Sequence, residues 1–184
     1  MAVLGEQADP RPLSVAEVYR LHAQTVARWA ARLAGPTAEI EDLVQEVFIA
    51  VHRQLPGFRG DSALTTWLYG ITANKVRDWR RRERVRRWFD RSEDARTRAG
   101  TAPVAQPLEQ LLEAQTHAKV YRALDQLSER YRSVLILHEM EGLGGKEIAE
   151  LLGAKVATVW VWLHRARGAF AQQLAKLEHQ EGRR

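Results

Sequence analysis

Apolar residues recur every three or four positions along most of the chain, and the two-residue alternation of a half-buried strand is absent over any length. Ser14-Val-Ala-Glu17 has the spacing of a capping box, so a helix starts there. Val18, Leu21, Val26, Trp29 and Leu33 form its apolar side, and Gly35-Pro36 ends it. Thr37 stands where it can cap a second helix, whose broad stripe is Ile40, Leu43, Val44, Val47, Phe48 and Val51. Pro56-Gly57 closes that helix. After a loop over Phe58–Ser62, the residues Leu64, Trp67, Leu68 and Ile71 mark a third helix that runs on into an arginine-rich block. Periodicity is lost from 91 to 107, where Ser, Thr, Gly and Pro read as a flexible linker. It returns with Leu108, Leu111, Leu112, Val120, Ala123, Leu124 and Leu127. Ser128 opens a further helix with Val134, Leu135 and Leu137, stopped at Gly142. The pattern predicts an all-α protein of two small helical domains, 14–90 and 108–178, joined by the flexible linker 91–107.

The stretch Glu141–Phe170 has a sharper signature. Ile148, Leu151 and Leu152 lie at helical spacing, and Gly153 follows where a left-handed stop belongs. A second stripe runs Val159, Leu163, Ala166, Phe170, Leu174, Leu177. Short helix, glycine turn and longer helix is the helix-turn-helix plan, whose second helix enters a DNA major groove. His164, Arg165 and Arg167 lie off the apolar stripe, where a phosphate or base edge is in reach. On this stretch alone, a plain helical hairpin inside a bundle accounts for the spacing equally well.

Charge tilts the balance toward nucleic acid. The 184 residues carry a formal net charge of +5, and the surplus sits in one block, where residues 75–98 hold 11 basic and 5 acidic side chains. Such a block is an electrostatic footprint for nucleic acid, although a solvated basic face has the same composition. Trp79 and Trp88 stand among the arginines, able to stack on bases or to pack under arginine stems. The chain has no cysteine, which excludes a disulfide framework and a thiolate zinc site. Its six histidines show no metal spacing, and there is no phosphate-binding loop or nucleophile arrangement. No apolar run approaches the roughly 20 residues that cross a bilayer. The N-terminus lacks the basic start and apolar block of a signal peptide. The expectation is a cytoplasmic, non-enzymatic protein with no cofactor and no metal.

Four stretches, in order, resemble bacterial RNA polymerase sigma factors of the sigma-70 family, specifically the compact extracytoplasmic-function (ECF) group. They are Glu41-Asp-Leu-Val-Gln-Glu-Val-Phe48; Phe58-Arg-Gly-Asp-Ser-Ala63 with Trp67-Leu-Tyr and Ile71-Thr-Ala-Asn74; Leu127–Leu135 with Glu141–Gly153; and Leu163-His-Arg-Ala-Arg167. The resemblance implies a factor that binds core RNA polymerase, recognises the −10 and −35 elements of promoter DNA and melts it. Asp42, Gln45, Glu46 and Phe48 are then the polymerase-binding positions. Phe58, Arg59, Asp61 and Ser62 meet the −10 element as single strand, with Asn74, Lys75, Arg77, Arg80 and Arg81 on its phosphates. Everting a base costs a few kcal/mol, and stacking on an aromatic returns about 1–3 kcal/mol. For Trp67, ordinary core packing is the better reading. Lys155, Thr158, Trp160, Val161, His164, Arg165 and Arg167 form the −35 set, and an anti-sigma factor is an expected partner.

The chain departs from the family pattern in its recognition helix. Lys155 stands where a capping serine is usual, and Trp160-Val161-Trp162 follows Thr158-Val159 in place of polar or basic residues. At 100° per residue, Trp160 and Val161 fall outside the core stripe and Trp162 at its edge. Apolar side chains cannot make the bidentate bonds, worth about 1–3 kcal/mol, that select one base pair. Three readings follow: the helix reads DNA shape and thymine methyls; the apolar patch docks on a protein, either an anti-sigma factor or the chain's own N-terminal domain; or a shifted helix buries both tryptophans. Gly144-Gly145, replacing a polar and aromatic pair, has no explanation in the sequence. Two rival functions remain at this stage: a sigma-like decoy that titrates an anti-sigma factor, and a dimeric helix-turn-helix repressor. The clamp-like helix and the FRGDS loop argue against the repressor.

Overall fold

The computed structural model describes residues 13–37, 39–93 and 108–181, and among them all regular structure is helical. Seven α-helices follow one another: α1 (Val15–Ala34), α2 (Ile40–Gln54), α3 (Leu64–Glu93), α4 (Leu108–Asp125), α5 (Glu129–Leu135), α6 (Gly145–Leu152) and α7 (Val156–Glu181). Helix α3 runs through Glu93, three residues into the expected linker; residues 94–107 of that stretch lie outside the described residues, as does the N-terminal stretch before residue 13.

Helices α1, α2 and α3 pack on one another and form the front module. The capping box that opens α1 is present: Ser14 Oγ accepts from the Glu17 amide at 3.2 Å, and the Ser14 amide donates to the Glu17 carboxylate at 2.9 Å. Val18, Val26 and Leu33 are buried as the stripe requires, but Leu21 is exposed. Thr37 does not cap α2 directly. Its hydroxyl accepts from the Glu39 amide at 3.2 Å and closes a turn, and α2 starts one residue later. Val47 and Val51 of α2 and Leu68 and Val76 of α3 are buried in the core. Trp79 is buried as well, with its indole N–H donated to the Glu39 carboxylate. It is a core residue rather than a base-stacking one.

The rear module is α4 to α7. Ser128 caps α5, whose last turn widens into a π-helical turn over Ile136–Met140, closed by the Glu141 amide on the Ile136 carbonyl at 3.0 Å. Gly153, at φ 60°, ends α6 in a Schellman turn: its amide reaches the Glu150 carbonyl, and Ala154 reaches Ala149 at 2.9 Å. Val159, Leu163 and Ala166 of α7 are buried, in agreement with the predicted stripe. Lys119 and Arg122 of α4 hold Glu181 near the end of α7 at 2.9 and 3.1 Å.

The two modules share one continuous apolar core, with α3 packed on α6 and α1 on the π-turn. The C-terminus of α1 is the meeting point. An α-helix leaves its last carbonyls without partners and its end partly negative. Arg132 of α5, fully buried, donates to the Leu33 carbonyl from Nε at 3.2 Å and from Nη2 at 2.9 Å. Beside it, Gly35 has φ 89° and ψ −172°, a conformation essentially reserved for glycine. A Cβ there also meets the Tyr121 ring at 2.9 Å. Gly35→Ala is therefore expected to destabilise the full chain by roughly 1–3 kcal/mol in urea unfolding. Adding Tyr121→Ala should recover only the part that comes from the collision, and full recovery would show that the backbone conformation is unstrained.

Candidate nucleic-acid interface

Three surfaces carry the predicted site residues. The first is the outer side of α1 and α2. Asp42 and Gln45 are exposed as expected, whereas Phe48 is largely buried against Tyr19, with ring centroids 4.7 Å apart. Tyr19, Ala27, Ile40, Val44, Phe48 and Ile49 line an apolar groove edged by Glu41, Gln45 and His52. The acidic face is partly turned onto α3. Glu46 pairs with Arg82 at 3.3 Å and Lys75 at 3.8 Å, and Glu39 pairs with Arg86 at 3.2 Å. The Trp79 hydrogen bond, and after it the bond from Arg86, holds the Glu39 carboxyl below its usual range.

The second surface is the loop after α2 and the exposed side of α3. A short 3₁₀ turn over Leu55–Gly57 leads into Phe58, which leans on Trp67 at 4.9 Å between centroids. Trp67 is half-buried against the core, in line with its predicted packing role. Arg59, Asp61 and Ser62 are exposed, and Gly60 turns the chain at φ 76°. Asn74, Arg77 and Arg81 lie in sequence along α3. Arg77 donates to Asn74 at 2.7 Å, and Arg81 stands 3.6 Å from Asp78. Arg80 differs from the expectation. It is only 8% exposed, turned inward, and bound to Asp125 and Glu129 of the rear module, each at 3.0 Å. In this conformation it is not available to a phosphate.

The third surface is the start of α7. Lys155 is the residue before the helix, its carbonyl accepting from the Val159 amide at 3.1 Å. Its side chain, like those of His164 and Arg165, is exposed, and Thr158 is half-buried. Arg167 is held by Glu139 at 2.7 Å, an exposed pair of the kind worth about 0–1 kcal/mol. Trp160 and Val161 are each 48% exposed, as the helical geometry predicts. The Trp160 indole packs against Gly145 in the first turn of α6. A Cβ on Gly145 meets its Cζ2 at 2.7 Å, and His138 meets the ring edge-on at 5.8 Å. Gly145 and the unusual tryptophan thus explain each other: α6 needs a bare backbone where the indole rests, whereas a Cβ on Gly144 meets only the Glu147 carboxylate at 3.3 Å. Trp162 goes the other way. Under the Arg130 guanidinium at 4.7 Å, it lines with Asn74 and Arg77 a groove between the two modules. Trp162 is half-buried at the edge of that groove. Trp160 and Val161 stay on the open face.

Sequence reasoning missed Asp125, Glu129, Arg132 and Glu141, which join the modules. Glu141, its side chain 4% exposed, meets Arg28 and Arg32 of α1 at 2.8 Å each. The signal for Arg132 was its position three residues before Leu135 and four before Ile136, on the buried side of α5. Glu141 depends on the π-turn, which no residue pattern announces.

A two-module helical chain with a basic long helix and an exposed helix-turn-helix is a nucleic-acid-binding protein of the transcription class. A family model described as Sigma-70 region 2 matches residues 18–86, and one described as Sigma-70, region 4 matches residues 117–170. The chain is 31% identical to the RNA polymerase sigma factor YlaC of Bacillus subtilis over 169 residues, covering 91% of this chain and 96% of the relative. It is 33% identical to the ECF RNA polymerase sigma-E factor of Escherichia coli K12 over 147 residues, 77% of each. Two solved structures share the fold at a TM-score of 0.57. One is CnrH in complex with the cytosolic domain of CnrY, at 23% identity and 88% of each chain. The other is the sigma factor RpoE in complex with the anti-sigma factor NepR from Bartonella quintana, at 21% identity, covering 87% of this chain and 96% of that one. The chain belongs to the sigma-70 family of RNA polymerase sigma factors, in its ECF group, and directs transcription initiation.

Alanine in place of a helical glycine ordinarily gains up to about 1 kcal/mol. At position 145 the sign should reverse: Gly145→Ala is expected to lose roughly 1–3 kcal/mol, the usual range for an overfilled contact. In a Trp160→Ala background the same change should be neutral or stabilising. Denaturant unfolding of the four proteins gives the cycle, and a loss that persists without the indole would place the tryptophan elsewhere.

Proposed function

We propose that this chain is a dissociable initiation factor with no active site of its own, acting in the cytoplasm. It binds core RNA polymerase through Asp42, Gln45 and the apolar groove of α1 and α2. Charged groups at the rim of such a surface chiefly set encounter and register. It reads the −10 element as single strand with Phe58, Arg59, Asp61 and Ser62, while Asn74, Lys75, Arg77 and Arg81 contact phosphates. It reaches the −35 element with Lys155, Thr158, His164 and Arg165. The observation that carries this reading is the pairing, in one chain, of the exposed loop and basic α3 within the region 2 match with the exposed face of α7 within the region 4 match. Among the described residues no helix is long and apolar enough to cross a membrane.

At the −35 element the exposed Trp160 and Val161 favour thymine methyls over hydrogen-bonded readout. The same apolar face gives the second reading its support: a sigma-like decoy that captures an anti-sigma factor without reading DNA. Anti-sigma binding fits both readings. Run-off transcription with purified core polymerase distinguishes them. Promoter-specific transcripts support the initiation factor, and capture of an anti-sigma factor with no transcript from any promoter supports the decoy. Trp160→Arg is expected to strengthen binding to the upstream element and to steepen its salt dependence by roughly 0.9 in log–log slope, one added phosphate contact. Affinity unchanged at every salt concentration would show that position 160 does not face DNA.

A further inference from the structure

We propose that the two modules form a built-in latch in which carboxylates of the rear module occupy the place of DNA phosphates on α3. Asp125 is its centre. One oxygen, Oδ1, accepts from Arg80 Nη2 of the front module at 3.0 Å and from Arg132 Nη1 of the rear module at 2.9 Å. Glu129 takes the other arm of Arg80 at 3.0 Å. Arg132 continues through the interface to the Leu33 carbonyl, and Glu141 draws in Arg28 and Arg32. The groove beside the latch is walled by Asn74 and Arg77 on one side and by Arg130 and Trp162 on the other. Asn74 and Arg77 themselves stay exposed, so within the set assigned to the −10 strand the closed chain masks Arg80.

The pairs differ in kind, and the difference identifies the latch. Lys75, Arg82 and Arg86 sit in exposed pairs, which a phosphate readily replaces. Arg80 is buried, with two carboxylates fixed on it, and DNA reaches it only when α5 withdraws. The latch therefore opposes DNA binding by the free chain without any partner. This rests on the reading of α3 as a DNA-contacting helix.

The absence of cysteine permits a direct test on the full chain. Gln24→Cys on α1 and Gln172→Cys on α7, both exposed, carry a fluorophore pair that reports the separation of the modules. The latch variant is Asp125→Asn with Glu129→Gln. The control, Glu150→Gln with Glu178→Gln, removes the same charge from the same module away from the interface. The expected result is a longer inter-label distance in the latch variant alone. Its affinity for a fluorescent oligothymidine single strand should be about tenfold higher than the control's, with a salt slope steeper by about 0.7, one added phosphate contact on a single strand. An unchanged distance overturns the proposal. So does an opened chain that binds the single strand no better than the control, because the latch then masks nothing. If the double variant fails to fold, Glu129→Gln alone and a salt titration of the wild-type distance decide the matter: no lengthening in either overturns the latch. Association with core polymerase, measured on the same proteins, separates the two claims. A latch that opens as expected in a chain that never binds polymerase refutes the initiation-factor reading alone.

Discussion

A guanidinium taken wholly out of water has to be matched by oxygen atoms already in place, and Arg132 is matched by groups that no single module supplies. The Leu33 carbonyl comes from the unfinished end of α1, and the carboxylate comes from Asp125 at the end of α4. Burial, and next the nearby Arg80, lower its pKa to about 10, so it stays charged at neutral pH. Removing one partner of such a buried group is costly, whereas an exposed pair contributes little. The modules therefore meet here in the closed chain, with Gly35, Tyr121 and Glu141 at the same end of α1. Burial pushes the Tyr69 phenol up to about 12.

This single junction explains why the arginine-rich helix is not uniformly a DNA surface. A run of like residues suggests one role, but a helix turns 100° with each of them. Arg81 and Arg82 face solvent and the acidic side of α2, while Arg80, between them and Trp79, faces the rear module. The sequence pattern contained the run and its charge. Which member was turned inward depended on where α5 came to rest, a contact between residues 45 and 49 positions apart.

The same distinction separates what was legible from what was not. Helix order, the capping box at Ser14, the stop at Gly153 and the core stripe of α7 are local consequences of spacing, and they stand in the structure as predicted. The exposure of Trp160 and Val161 followed from helical geometry alone. The role of Gly145 did not, because it needs the indole from the next helix laid across it. Nor did the union of the two modules, since each had an apolar stripe that could have been completed within itself. The π-turn over Ile136–Met140 was invisible for another reason: it is a change of hydrogen-bond step, from four residues to five, that leaves the apolar order intact.

The order of the chain gives the Arg80–Asp125 pair a history as well as a geometry. A ribosome adds about 5–20 residues per second, and 45 residues separate the two partners. For a few seconds of every synthesis, then, Arg80 exists before either of the carboxylates that meet it in the finished chain. Arg82 and Arg86, by contrast, meet Glu46 and Glu39, which the ribosome has already made.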